Sequence, residues 1–513
     1  MNKPTYSLGL ALLVLPWVSP FTYGPTTAVA QWLLSLACAA MAGILFSTSS
    51  CNGASKIEVI RNGWLLAAGL SAIMGLLQYL GLAAEFSPWV SYVEAGQAYA
   101  NLRQRNQMAT LLAIGLSALL WWQVQNAANA AAVQGTGLPW RAGARLAPGL
   151  AAVLLATADA ASGSRTGLLQ LLVLLALGLL WKRGRATLVL VLLAYAVAAW
   201  VLPRLAGLDP LHSGILGRVG EAAAPCSSRL TLWSNVLHLI AQKPWTGWGW
   251  GELGYAHFMT LYSGQRFCEI MGNAHNLPLH LAAELGIPVA VLVCGLTLWL
   301  VLRAKPWRER DATRQMAWSV LAVIGAHSLL EYPLWYGPFQ LAAVLAVWLL
   351  WQTPRDQTGH RTLAATNRPV AARAGWSIAL ACTLLLACSY AGWDYWRISQ
   401  IYLGESQRAA SYREDTLEKI RPSRLFAGQV RFAELGITPL SADNAPHLHA
   451  LALELLHFSP EASVVGKVIE SAERLGLAEE AAFYRQRFQA AYVLEYAGWL
   501  ASHAGSGRGD KVP

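Results

Sequence analysis

The sequence predicts an all-α protein: a polytopic bundle of transmembrane helices with one large polar loop and a small helical tail domain. Three observations carry this reading. Only 13% of the 513 residues are charged while 55% are hydrophobic, whereas soluble domains carry roughly 25% charged residues. Apolar runs long enough to cross about 30 Å of hydrocarbon recur along the chain. These runs are continuous and do not alternate, which excludes a membrane β-barrel. The net charge of +10 does not indicate nucleic acid, because the basic residues are spread over short loops between apolar spans. Many of the 23 Trp residues stand at span ends, as interfacial anchors do.

Taken in order, eleven spans are expected, at about 5–22, 27–46, 62–82, 107–124, 147–161, 167–181, 186–202, 286–303, 315–330, 338–352 and 375–393. The first mimics a signal peptide. No cleavage site is evident, and Pro16 and Pro20 fall in or just beyond the run, so it is read as a retained span. Basic residues follow every second span: Lys56 and Arg61; Arg141 and Arg145; Lys182, Arg183 and Arg185; Arg303, Lys305, Arg308, Arg310 and Arg314; Arg355, Arg361, Arg368 and Arg373. The positive-inside rule places these loops in the cytoplasm. The N-terminus is then cytoplasmic and the C-terminus is not. The segment 83–106, the turn Ser162-Gly-Ser-Arg-Thr166, the loop 203–286, the residues around Glu331 and the tail share the opposite face.

Three regions follow: a transmembrane domain over 1–393 that includes the loop, a helical-hairpin domain over 394–503, and a disordered tail over 504–513. Within the second, Glu405–Arg421 and Ala462–Ala491 read as amphipathic helices. The Trp-Gly run Thr246–Glu252 reads as an interfacial turn. Cys38, Cys51, Cys294, Cys382 and Cys388 fall in spans or the cytoplasmic loop, and Cys226 and Cys268 share the large loop. An oxidising compartment would let that pair bond. Free buried thiols are the alternative, since sequence does not supply the geometry of a disulfide.

The polar residues that could carry chemistry gather on the non-cytoplasmic face: Arg103, Gln104, Arg105, Asn106, Gln107, Arg165, Arg229, His275, Asn276, Glu284, His327, Glu331 and Tyr332. Ionisable groups near membrane depth are costly and are usually paired or functional. Each also has a structural reading. Arg103 and Arg105 could snorkel to headgroups, Arg165 could cap a helix, Arg229 could form an ion pair, and His327 could bond Glu331 one turn on. No metal-ligand spacing, nucleotide loop or dinucleotide fingerprint is present, so neither metal nor cofactor is expected. Cations beside an imidazole suit transfer from a pyrophosphate-activated donor. The arginines would neutralise the leaving diphosphate, and a histidine could accept a proton from an attacking hydroxyl.

Several motifs resemble those of bacterial O-oligosaccharyltransferases of the PglL type, within the O-antigen ligase and polymerase (WaaL/Wzy) superfamily. They are Gln104-Arg-Asn106, Ser164-Arg-Thr166, Arg229-Leu-Thr-Leu-Trp233, Pro244-Trp-Thr-Gly-Trp-Gly-Trp250, Ala274-His-Asn276, Glu284-Leu-Gly-Ile287 and His327-Ser-Leu-Leu-Glu-Tyr-Pro-Leu-Trp-Tyr336. The run from Glu331 to Tyr336 points to the PglL branch. The resemblance implies a GT-C-like membrane fold that needs no metal, in the bacterial inner membrane. It implies that His275 is essential, that Gln104 and Tyr332 are needed for activity, and that Arg165 and Arg229, with Arg105, hold a lipid diphosphate. Glu331 would orient His275 or the acceptor. The implied partners are membrane lipid, an undecaprenyl-diphosphate-linked oligosaccharide and a periplasmic acceptor protein such as a pilin. A ligase to lipid A core or a glycan polymerase keeps the same fold. A transporter is the reading from another class, and the one-sided charges and lack of repeats speak against it.

Overall fold

The computed structural model describes residues 3–48, 53–132, 141–220, 225–353 and 370–506. Cys51, Arg355, Arg361, Arg368 and residues 507–513 lie outside them. Among the described residues, every regular element is a helix. The first eight are α1 (Lys3–Val18), α2 (Thr27–Thr48), α3 (Gly53–Tyr79), α4 (Arg105–Ala132), α5 (Arg141–Ser162), α6 (Arg165–Trp181), α7 (Arg185–Leu205) and α8 (Gly214–Gly220). Then come α9 (Arg229–Gln242), α10 (Leu253–Met259), α11 (Leu277–Leu285), α12 (Ile287–Ala304), α13 (Ala312–Ser328), α14 (Gly337–Gln352) and α15 (Val370–Ser399). The tail holds α16 (Thr416–Ile420), α17 (Ala427–Ile437), α18 (Ala445–Phe458), α19 (Ala462–Arg474), α20 (Ala478–Ala491) and α21 (Val493–Ser506).

Each expected span falls on a helix. Six helices, α2, α3, α4, α7, α12 and α15, contain segments long and apolar enough to cross a membrane, and α5, α6 and α14 are shorter apolar helices. The chain is a multi-pass membrane protein. One boundary moves: Lys56 and Arg61, expected in a loop, lie in the first turns of α3. Lys56 reaches back to the Phe46 carbonyl at 2.6 Å, and the Arg61 guanidinium sits 5.0 Å from the Trp121 ring centroid. Long basic side chains let a helix run on past the hydrocarbon.

The chain divides into two compact units. The first comprises Met1–Thr22, Thr26–Glu221 and Val301–Gly392. Its centre is α4, whose apolar window is 78% buried within the protein, against 6% for α12 and for α15. Those two helices therefore present most of their apolar surface outward, as lipid-facing spans do. Small residues let α4 approach α3: a Cβ on Gly115 would lie 2.3 Å from that of Ala68. Hydrogen bonds then tie the two ends of this bundle separately. At one end Trp121 donates to Thr313, Thr187 to Gln123, Trp181 to the Pro306 carbonyl, Arg183 to the Arg310 carbonyl and Arg314 to the Thr353 carbonyl. These residues flank the basic loops that follow α4, α6, α12 and α14. At the other end Asn101 donates to the Val18 carbonyl, and Asn106 links to Ser164 and Glu331.

The second unit comprises Tyr23–Pro25, Ala222–Leu300 and Trp393–Pro513. The loop 203–286 and the tail, assigned to different domains on the sequence, share a core here. Phe258 of α10 packs with Leu448 and Leu455 of α18, Val465 and Ile469 of α19, and Phe488 of α20. Arg487 donates to the Met259 carbonyl at 3.0 Å, and His457 meets Glu252 at 2.8 Å and stacks on Tyr255. Such partners, far apart in the chain, leave no local sequence signal.

Three tail expectations change. The stretch 405–421 holds short 3-10 turns and only the brief α16. The expected helix 462–491 breaks into α19 and α20 at Gly476, which has φ +75°. There Leu477 N–H bonds the Ala472 carbonyl and Gly476 N–H that of Glu473, the paired bonds of a Schellman cap. Finally α21 continues to Ser506, past the expected domain end at 503.

Candidate active site

The site residues fall into one group in each unit. In the first unit, α4, α6 and the end of α13 meet around Asn106. The sequence Ser164-Arg165 starts α6: the Ser164 hydroxyl accepts from Gly167 N–H at 2.9 Å, a helix N-cap, and donates to Asn106 Oδ1 at 2.7 Å. Asn106 Nδ2 donates to Glu331 Oε1 at 3.3 Å, and Glu331 is buried. One turn along α4, Thr110 Oγ1 lies 2.8 Å from His327 Nδ1 and accepts from Gln170 at 2.8 Å. His327 thus bonds Thr110, and Glu331 bonds Asn106. The backbone bond from Glu331 N–H to the His327 carbonyl holds the turn between them at 2.8 Å.

Tyr332 lies stacked with Tyr336, ring centroids 5.9 Å apart. Burial pushes the Tyr336 phenol above its ordinary range, with the neighbouring Tyr332 raising it further and Gln107 opposing. Gln104 Oε1 and Gln107 Nε2 are buried without a hydrogen-bond partner among the described residues. Arg105 is turned to Tyr99, donating to its hydroxyl at 3.0 Å and sitting 5.3 Å from the ring centroid. Arg103 donates to the Pro20 carbonyl. Arg165, the first residue of α6, is exposed.

The second unit repeats the local design of α6. Ser228 caps α9 by accepting from Thr231 N–H at 3.1 Å, and exposed Arg229 is the first helical residue. In both cases a guanidinium is added to the electropositive end of a helix, where N–H groups favour anions. Just before the cap, Cys226 and Cys268 are joined by a disulfide, with Cα atoms 5.3 Å apart.

The third helix start is that of α11. Asn276 caps it, Oδ1 accepting from Leu279 N–H at 3.0 Å. His275 precedes the cap with φ +50°, a left-handed conformation that few side chains adopt. Its N–H is held by Asn273 Oδ1 at 2.8 Å, and Trp233 donates to the neighbouring Ala274 carbonyl at 3.1 Å. Such strain persists only where surroundings impose it, and it concentrates at functional positions.

The Trp-Gly run is more than an interfacial turn. Trp248 N–H bonds the Ala283 carbonyl and Gly249 N–H the Glu284 carbonyl, both at 2.9 Å, so the run clasps the end of α11. Gly247, at φ +68°, has no room for a side chain: a Cβ would lie 2.3 Å from the Glu284 carbonyl oxygen. Trp248 is half-buried and its indole donates to the Leu239 carbonyl. Trp245 and Trp250 remain exposed.

Comparison with known proteins matches three segments in chain order. Residues 98–122 match the family described as protein glycosylation ligase, 150–294 O-antigen ligase, and 315–505 the C-terminal part of virulence factor membrane-bound polymerase. The general O-oligosaccharyltransferase of Acinetobacter baylyi is 25% identical over 357 residues, 66% of this chain and 57% of that protein. The chain resembles the PglL-type ligases of the O-antigen ligase superfamily. A second relative of this ligase-like chain, the ComP-specific O-oligosaccharyltransferase of the same organism, is 23% identical over 280 residues, 54% of this chain and 48% of the relative. The chain thus spans about half the length of the curated relatives it matches. The ligase-like segments hold Gln104 to Thr110, then Ser164, Arg229 and His275, then His327 to Tyr336.

Sequence reasoning missed Thr110 and Gln170, and named Gln107 only as the end of the polar stretch that starts at Arg103. Each is a polar residue inside an apolar span, and Gln107 and Thr110 lie one turn from Gln104 and Asn106. That placement was a usable signal. Their partners across helices were not.

Proposed function

We propose that this protein transfers a preassembled oligosaccharide from undecaprenyl diphosphate to a Ser or Thr hydroxyl of an acceptor protein such as a pilin, at the periplasmic face of a bacterial inner membrane. What supports the reading best is the repeated design of Ser-capped helix starts, bearing Arg165 in the first unit and Arg229 in the second, together with a histidine held ahead of a third helix start within the second unit. The arginines and helix ends bind the diphosphate. His275 takes the proton of the acceptor hydroxyl, whose oxygen attacks the anomeric carbon. The bond from that carbon to the diphosphate oxygen breaks, and the lipid diphosphate leaves with the electron pair, its charge already neutralised. One in-line displacement inverts the anomeric centre. The buried Gln104 oxygen accepts from a sugar hydroxyl, while Glu331 and Tyr332 orient the acceptor. The positive-inside rule supports this face, since Gln104, Arg165 and Glu331 stand at the helix ends opposite those followed by the basic loops.

The match to O-antigen ligase over 150–294 supports a second reading, in which lipid A core or another glycan is the acceptor. Co-expression with a pilin and a lipid-linked glycan, followed by intact-mass measurement of the pilin, decides. A mass gain of one glycan supports protein transfer. An unmodified pilin with glycan on lipid A core supports the second reading. His275→Ala is expected to abolish transfer while the protein stays in the membrane at its usual level. Full modification by that variant would remove His275 from the mechanism.

A further inference from the structure

Behind His275 lies a second histidine that the mechanism does not use. His275 occupies the residue before the cap of α11 and His280 the fourth residue inside it. In a capped helix the residue before the cap and the fourth helical residue are placed so that their side chains can pack, and the charge of His275 acts on the His280 ring. His280 is 2% exposed, and its Nε2 lies 3.4 Å from Glu284 Oε2 one turn further on. Glu284 is also 2% exposed, and its backbone carbonyl accepts from Gly249 N–H of the Trp-Gly run. His280 and Glu284 thus lie one turn apart on α11, with His275 just ahead of its cap and the Trp-Gly clasp at its far end. A carboxylate accepts only, so His280 carries its hydrogen on Nε2 and presents Nδ1 as an acceptor.

We infer that His280 and Glu284 are positioning residues for His275: the buried carboxylate, acting through His280, stabilises the imidazolium that forms when His275 takes the acceptor's proton. This rests on the reading of His275 as the base. Burial, and then the nearby His275, hold the His280 imidazole down to about 4, so it is neutral at the working pH and adds no opposing charge. Burial raises the Glu284 carboxyl, the backbone N–H groups of Gly251 and Leu253 pull it back, and Glu252 raises it again. Glu252 is itself held by His457 of the tail. Alongside α11, α9 brings His238, set against Tyr262, and Lys243, seated over Trp248. Arg229 stands at its start.

The test is the pH dependence of diethyl pyrocarbonate modification at His275, read by peptide mass spectrometry on the full-length protein. Glu284→Gln is expected to lower the midpoint by about half a unit to one unit, since removing a nearby negative charge disfavours the protonated ring. Glu284→Asp, which keeps the charge, is expected to restore most of it. Should Glu284→Gln fail to accumulate, His280→Gln carries the same test, with the same lowering expected. An unchanged midpoint in a folded variant overturns the inference. This readout needs no transfer reaction, so it separates failure of the positioning role from failure of the proposed function. In the transfer assay the same variants are expected to lower kcat about tenfold with KM for the lipid donor unchanged. A raised KM with kcat intact would instead mean that the pair only shapes the donor site.

Discussion

At the scale of single residues, the second unit buries histidines in their neutral form. Burial and then Arg266 hold His257 down to about 3, and His280 is held at about 4. Both lie below the ordinary 6.5, so the unfolded chain binds more protons over that window. Their stabilising contribution is complete above about 6.5 and is lost as pH falls from there through about 4 and 3. At pH 5 each costs about 2 kcal/mol. Thermal unfolding of detergent-solubilised protein, followed by tryptophan fluorescence, should show a lower midpoint at pH 5 than at pH 7.5. His257→Gln should narrow the difference, and equal midpoints at the two pH values would contradict this account. Residues of a different kind leave a local signal in the sequence that could have been read. Ser164, Ser228 and Asn276 each sit three residues before the N–H they cap, so their roles are local. Thr110 against His327, or Gln107 against Tyr336, depends on how helices dock, and the chain between them carries no trace of it.

At the scale of elements, each expected span became a helix because a continuous apolar run leaves the backbone no other way to satisfy its hydrogen bonds in lipid. The polar loop was harder to read. Composition marked it as polar, but its helices are short and take their register from one another. The Trp-Gly run shows why: its glycines looked like freedom in a turn, whereas two of its N–H groups are spent on the last carbonyls of α11. Gly247→Ala should therefore be far worse than an ordinary loop substitution. A Cβ there meets the Glu284 backbone, and the left-handed φ adds about 1 kcal/mol of strain. We expect loss of transfer together with faster proteolysis between Lys243 and Glu269. Ordinary proteolytic resistance and activity in that variant would show that the clasp is dispensable.

At the scale of the whole molecule, the tail is part of the structure that holds the loop. Deleting residues 394–513 strips Phe258 of the core it shares with α18, α19 and α20. Burying a phenylalanine is worth about 1.5–3 kcal/mol, and the deletion also removes the partners of Glu252 and Met259. Hydrolysis of the lipid-linked donor and modification of the acceptor should then fall together. Loss of acceptor modification alone, with hydrolysis intact, would instead give the tail a pure docking role.

A single residue, Gly286, separates α11 from α12, and α12 is a span with only 6% of its apolar window covered. The helix that carries His275 is thus hinged directly to a rod immersed in the bilayer. A rod that tilts to match hydrocarbon thickness transmits its tilt through that hinge, which makes bilayer thickness a mechanical input to the histidine. Reconstitution in phosphatidylcholines of increasing chain length should give a transfer rate with an optimum thickness, and a rate indifferent to chain length would show that the clasp absorbs the motion. The lipid would then act as a setting of the machine as well as its solvent.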